Sequence, residues 1–200
     1  MKVQSLCSFL LASAFVSSLV PTPSAQAVQT STELSKSRPE GFEWDHQIDL
    51  YDEAYNDGNF VEAERFARRS LEIVQALELD DGKRATSLSS LGQSLRHQKR
   101  YTEAEPLFRE ALAIREKILP PIHPRTAYAL EGLAVSLVGQ SRPDEAEPYY
   151  LRAIAIWDRM DKDEYESCHH GTVLDGLGRI YFQAGTYEKA EPVYERALEV

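Results

Sequence analysis

Ala63, Ala104, Ala146 and Ala190 stand 41, 42 and 44 residues apart, and each opens a similar string. Self-similarity at such an interval marks units that cannot bury their apolar faces alone and must stack on one another. Downstream of each alanine the apolar residues fall at helical spacing. Ala104, Leu107, Phe108, Ala111 and Leu112 form one stripe, Ala146, Tyr149, Tyr150, Ala153 and Ile154 the next, and Ala190, Val193, Tyr194, Ala197 and Leu198 the last. Upstream lies a second stripe per unit: Leu88, Leu91, Gly92 and Leu95; then Leu130, Leu133, Ala134 and Leu137; then Leu174, Leu177, Gly178 and Tyr181. Each unit therefore reads as helix, tight turn, helix and loop.

Gly58 and Gly185 sit at the turn, where a left-handed residue ends the first helix cheaply. Lys99 and Ser141 hold that place in the middle units, so those turns need another solution or accept strain. Three strings, "EAEPLF", "EAEPYY" and "KAEPVY", put a proline near the opening of the second helix. Backbone N–H groups there lack an intrahelical partner, so proline costs little. Thr102 to Glu105 match a capping box that would place Pro106 at the fourth helical position.

"LGQSLRHQKRYTEAEPLFREALAI" and "LGRIYFQAGTYEKAEPVYERALEV" resemble the tetratricopeptide repeat, and the period with His123-Pro124 resembles its kinesin-light-chain type. The family's small and large positions map onto Leu91, Gly92, Ala104, Phe108 and Ala111, and again onto Leu177, Gly178, Ala190, Tyr194 and Ala197. The resemblance implies an all-α, right-handed solenoid of antiparallel hairpins with three to four repeats, the last one incomplete. It covers 42–200. The earliest unit departs most, with Tyr51 for the small residue and Ser70 for the final alanine, which suits an N-terminal cap with one solvated face. The last unit stops after Leu198-Glu199-Val200, so its apolar edge is expected to meet another molecule or further chain.

Residues 1–27 differ from the rest: Lys2 is their only charge, Leu6 to Val20 is mostly apolar, and Ala25-Gln26-Ala27 supplies small residues for cleavage. That is the layout of a secretory signal peptide cut after Ala27, followed by a linker over 28–41. The rival, an uncleaved anchor, is poorly served by 15 residues broken by serines and closed by Pro21 and Pro23, against the ~20 needed to span a bilayer. Cleavage would leave Cys168 as the one cysteine, which excludes an intrachain disulfide. The net charge of −10 argues against nucleic acid or an anionic membrane as partner. Arg65, Arg68 and Arg69 lie among glutamates and read as a solvated helix face.

Chemistry-bearing patterns are sparse. "ESCHH", Glu166 to His170, gathers a carboxylate, a thiol and two imidazoles in a connector expected to be a loop, but a structural zinc site needs spaced ligand pairs. No phosphate-cradling, dinucleotide-binding or hydrolase motif occurs, and Gly176 and Gly178 fall within a helical stripe, where Gly178 admits a neighbouring helix. No catalytic residue, metal or cofactor is expected. In the family resembled, the first helices line a concave wall that grips proteins or peptides. Register carries Ser89, Gln93 and Arg96 onto that wall, with Tyr128, Glu131 and Val135 next, and Asp175, Arg179 and Phe182 last. The expectation is a non-catalytic protein- or peptide-binding scaffold, secreted or periplasmic. The alternatives are a subunit docking into an envelope or secretion assembly through its C-terminal edge, and an enzyme using Cys168, His169 and His170.

Overall fold

The computed structural model describes residues 41–160 and 164–199, the side chains of 164–168 excepted. The expected signal peptide, cleavage site and all but the last residue of the linker lie outside these residues. Eight helices and no strand are present among them: α1 (Phe42–Asn56), α2 (Phe60–Ala76), α3 (Asp81–His97), α4 (Tyr101–Ile118), α5 (Pro124–Gly139), α6 (Pro143–Trp157), α7 (Glu164–Gln183) and α8 (Tyr187–Glu199). None is long and apolar enough to cross a membrane.

Consecutive helices pack as antiparallel hairpins, and each hairpin packs on the next. Odd-numbered helices also touch their own kind, α1 on α3, α3 on α5 and α5 on α7, whereas the backbones of the even-numbered set stay apart. The odd-numbered helices therefore form the inner wall of a solenoid and the even-numbered ones its outer layer. One continuous core runs through the array, from Tyr51 and Ala54 through Phe108, Leu130 and Leu133 to Leu174 and Leu177. A satellite cluster of Trp44, Ile73 and Val74 seals the first hairpin, with the Trp44 indole donating to Ser87 Oγ at 2.8 Å.

Large residues of the outer helices seat against glycines of the inner ones. A Cβ on Gly132 would lie 2.4 Å from the Phe108 ring, and one on Gly92 3.0 Å from it, so Phe108 ties its own hairpin to the following one. Tyr150 fits the corresponding slot at Gly176, and Tyr194 sits against Gly178, as expected of that glycine.

All four hairpin turns share one backbone pattern. Arg100 N–H donates to Leu95 O and Lys99 N–H to Arg96 O, each at 2.9 Å, and the same pair of bonds recurs at Gly58-Asn59, Ser141-Arg142 and Gly185-Thr186. This is the Schellman arrangement, which requires a left-handed residue. Lys99 and Ser141 supply it at φ 61°, alongside Gly58 at 73° and Gly185 at 71°. The middle turns therefore accept strain and use no alternative geometry.

Two expectations are corrected. Helix α4 begins at Tyr101 with Arg100 as its cap residue, so Thr102 lies inside the helix and caps nothing. Pro106 stands sixth in its helix, two residues deeper than the capping box implied, and Pro148 and Pro192 stand sixth in theirs. Each leaves one carbonyl in the first turn without its helical donor. Glu166 to His170 lie in the opening turns of α7, not in a loop. The arginines of α2 are exposed, as expected of a solvated face, and they pair, Arg65 with Glu62, Arg68 with Glu64 and Arg69 with Glu72 and Glu43.

Candidate functional site

The inner wall holds a cavity of about 380 Å³ between α3, α5 and α7, within the size range of ligand pockets. Five of the nine wall positions named by register converge there: Arg96 from α3, Glu131 and Val135 from α5, and Asp175 and Arg179 from α7. Helical spacing explains the convergence, since Glu131 and Val135, like Asp175 and Arg179, are four residues apart and share a face.

The other four lie elsewhere. Gln93 stands one turn from Arg96 and accepts a hydrogen bond from its Nε at 2.8 Å. Tyr128 turns toward an aromatic cluster, edge-on to Trp157 at 5.2 Å and to His169 at 4.7 Å between ring centres. Phe182 is 57% exposed and packs edge-on against Tyr187, beyond the pocket. Ser89 is partly covered, and its buried hydroxyl oxygen has no hydrogen-bond partner among the described residues.

Tyr150 is a pocket residue that the register of the inner helices did not name. Its stripe marks it as core, and at 3% exposure it is. Its ring nevertheless reaches from α6 past Gly176 to the pocket, where its tip forms part of the lining. The signal lay in Gly176, whose missing side chain opens the path to the inner face. Tyr101, Val138, Ile180 and Gln183 complete the walls.

The electrostatics of the pocket are unsettled. Arg96 is partly engaged, through Gln93 and through His97 Nε2 at 3.0 Å. Glu131, Asp175, Arg179 and the Tyr150 hydroxyl make no hydrogen bond or ion pair with any described group. Burial raises the Glu131 carboxyl above the ordinary carboxylate range, with the Arg96 charge opposing. Burial and the neighbouring Glu131 charge likewise raise the Tyr150 phenol, while Arg179 and Arg96 act the other way. The partly buried Glu131 carboxylate and the Tyr150 hydroxyl, which make no hydrogen bond among the described residues, are placed to meet a ligand.

The residues singled out for chemistry separate. His170 is buried with Nε2 at 3.2 Å from Asp158, which also pairs with Arg196 of α8. His169 packs on Trp157 and Tyr128, and burial lowers its pKa. The Cys168 side chain lies outside the described residues. Among those described, no cluster of three or more His, Cys, Asp or Glu could hold a metal ion.

Solved structures with this fold include BtubC (BKLC) from P. vanneervenii, at 23% identity and a TM-score of 0.73 over 87% of this chain and 68% of that one. A putative kinesin light chain from Podosopora anserina with nearly identical TPR-like repeats matches at 21% identity and 0.62, covering 87% of each chain. Aspartyl phosphate phosphatase F from Bacillus subtilis matches at 17% identity and 0.69, over 86% of this chain and 45% of that one. No curated protein sequence matches the chain. Models of the tetratricopeptide repeat match residues 53–117, 83–159 and 172–200. With this coverage, and hairpins repeating at the kinesin-light-chain-like interval, the chain belongs to the tetratricopeptide repeat family.

Proposed function

We propose that this chain is a non-catalytic scaffold that holds an extended segment of a protein or peptide along the wall made by α3, α5 and α7, outside the cytoplasm. One observation carries the reading. Five wall positions chosen by register alone meet in a single cavity whose charged groups Glu131, Asp175 and Arg179 make no hydrogen bond or ion pair among the described residues. An inner wall that satisfied its own charges would leave a guest little to bind. Repeat proteins of this family generally bind protein or peptide partners, and their extended inner face suits an elongated guest. The extracytoplasmic placement rests on the signal-like pattern of residues 1–27.

Affinity capture with the wild-type chain and with Arg179→Glu tests the reading. A partner held by wild type is expected to be lost from the variant. Retention of every partner would remove this wall from consideration. Radiolabelled or fluorescent tracking of the amino-terminal segment during export tests the compartment, with an uncleaved, unexported chain as the contrary result.

A second reading rests on a different surface. Leu198 is 90% exposed on α8 and Tyr187 61%, an apolar edge suited to docking in a larger assembly or oligomer. Solution mass separates the two, since a stable monomer at micromolar concentration argues against an obligate docking edge.

A further inference from the structure

Outer helices α2, α4 and α6 lie on the inner helices α3, α5 and α7 of the hairpins that follow them, whereas α1 carries no such helix among the described residues. The vacant seat on the first hairpin holds an open pocket of about 420 Å³, lined by Leu50, Ala54 and Phe66 and by Glu53, Asp57 and Asn59. In the other hairpins small residues receive the incoming helix: Ser90 and Ser94 on α3, Gly132 and Ser136 on α5. The corresponding positions on α1 are Asp49 and Glu53, both exposed. The turn is reversed in the same sense. Gln98 and Arg100 donate to Glu64 of the incoming α2, and Gln140 and Arg142 to Glu105 of the incoming α4. The first turn offers Asp57 and Asn59 in those places. Asp49, Asp52, Glu53 and Asp57 form no ion pair with any described residue. Burial and the neighbouring Asp49 charge raise the Asp52 carboxyl. The arginine beside the pocket, Arg65 over the Phe66 ring, is taken by Glu62, and Arg69 by Glu72 and Glu43.

We propose that this end of the array docks a basic amphipathic helix of a partner protein, laid on α1 in the pose that α2 and α4 take on α3 and α5. A lysine or arginine of that helix stands where Glu64 and Glu105 stand in the pose, facing Asp57, and a second meets Asp49 or Glu53. Its apolar stripe covers Leu50, Ala54 and Phe66. Seating a helix takes these carboxylates further out of water, so the guest must bring cations with it. A cap that met only solvent would gain nothing from leaving Leu50 and Phe66 half-covered among its acids. A second copy of this chain fits poorly in the same pose. Its α8 would bring Glu191 to Asp57 and Tyr194 to Asp49, setting like charges together and a ring against a carboxylate. The chain's net charge of −10 adds a long-range pull on a basic partner.

Selection on the full-length chain from displayed three-helix bundles with one randomised helix face tests this. Bundles that lose binding with Asp57→Lys are expected to carry an excess of lysine and arginine on that face. Asp57→Lys and Asp49→Lys alter exposed side chains, and each is expected to weaken such bundles about tenfold or more. Raising sodium chloride from about 50 to about 500 mM should weaken them too, and Arg179→Glu should leave them unchanged. A library that yields no bundle sensitive to Asp57→Lys, or sensitive bundles without a basic excess, would overturn the inference. So would a dimer in sedimentation that Asp57→Lys dissolves, since a second copy would then hold the seat. None of these results bears on the groove between α3, α5 and α7, which Arg179→Glu tests separately.

Discussion

The junction between the second and third hairpins and the one between the third and fourth use the same helix faces but hold them differently. At the earlier junction Glu105 of α4 is largely buried and accepts hydrogen bonds from Arg109 at 2.8 Å, from Gln140 at 2.9 Å and from Arg142 at 2.7 Å. Gln140 and Arg142 belong to the turn of the next hairpin, so a single carboxylate latches that turn onto the preceding outer helix. Glu64, Gln98 and Arg100 repeat the latch one hairpin earlier. At the later junction the positions of Arg109, Gln140 and Arg142 are taken by Leu151, Ala184 and Thr186, and among the described residues Glu147 accepts only from the hydroxyl of Tyr181, at 2.6 Å. The turns follow suit. The two latched turns hold a lysine and a serine at positive φ, and the two unlatched ones hold glycine. A latch that over-determines the turn lets an ordinary side chain occupy a left-handed position. Without it, the backbone must be at ease unaided.

The largest expected effect comes from the core on either side of this divide. Phe108 is fully buried and bridges two hairpins, so Phe108→Ala should cost about 4 kcal/mol. Tyr194 occupies the same register in α8 but is only partly covered, and Tyr194→Ala should cost no more than about half as much. Urea unfolding of both variants checks the ratio, and equal losses would mean the last hairpin is as well supported as the centre.

The latch comes next. Glu105→Gln removes the charge while keeping the shape, and should cost about 2 kcal/mol, since three charged or polar donors lose their acceptor strength. Glu147→Gln should cost well under half of that. A Glu105→Gln variant as stable as wild type would make the network a surface ornament.

Much of this was legible in the sequence. The period located every hairpin, because stacking demands an apolar stripe at fixed spacing on both helices. The Phe108 and Tyr194 positions followed from the same register. The latch was missed, although Glu64 and Glu105, Gln98 and Gln140, and Arg100 and Arg142 recur in step. Polar residues read one helix at a time look like solvated faces, and only the approach of a turn to the preceding outer helix shows that they meet. The start of α4 was misplaced for a related reason. Arg100 takes the cap position with no side-chain bond to the helix backbone and instead pairs with Glu103 and Glu64, so the Thr102 signal had nothing to cap. Phe182 was placed on the wall by register alone, whereas the pocket ends before it. Tyr150 was placed correctly in the core, but a stripe tells which face is buried, not where a long ring comes out.

Acid should separate the two regions again. Burial pushes the carboxyls of Glu64 and Glu105 up, but the hydrogen bonds from arginine and glutamine outweigh it, and both pKa values lie below the ordinary carboxylate value. A depressed folded value means their stabilisation is complete above the unfolded value, about 4.3, and is lost as pH falls through the folded one. Stability measured by urea unfolding should therefore fall more steeply below about pH 4.3 in wild type than in a Glu64→Gln/Glu105→Gln double variant. Parallel curves would show that other carboxylates govern the acid limb.

The smallest effect probes the turns themselves. A left-handed lysine costs about 1–2 kcal/mol relative to a residue at ease there, but glycine returns about 0.5–1 kcal/mol of that through its larger unfolded-state entropy. Lys99→Gly and Ser141→Gly should each stabilise the chain by about 0.5 kcal/mol, and Gly185→Ala should destabilise it by a similar amount. The latch adds a sharper condition. If Glu64 holds the Lys99 turn in its strained form, then part of the latch's strength is spent on that strain, and glycine at 99 relieves it. Lys99→Gly should then soften the loss caused by Glu64→Gln, and a double-mutant cycle between the two positions should show coupling of about 0.5 kcal/mol or more. Strict additivity would mean that turn and latch merely coincide, and that the glycines at 58 and 185 need an explanation of their own.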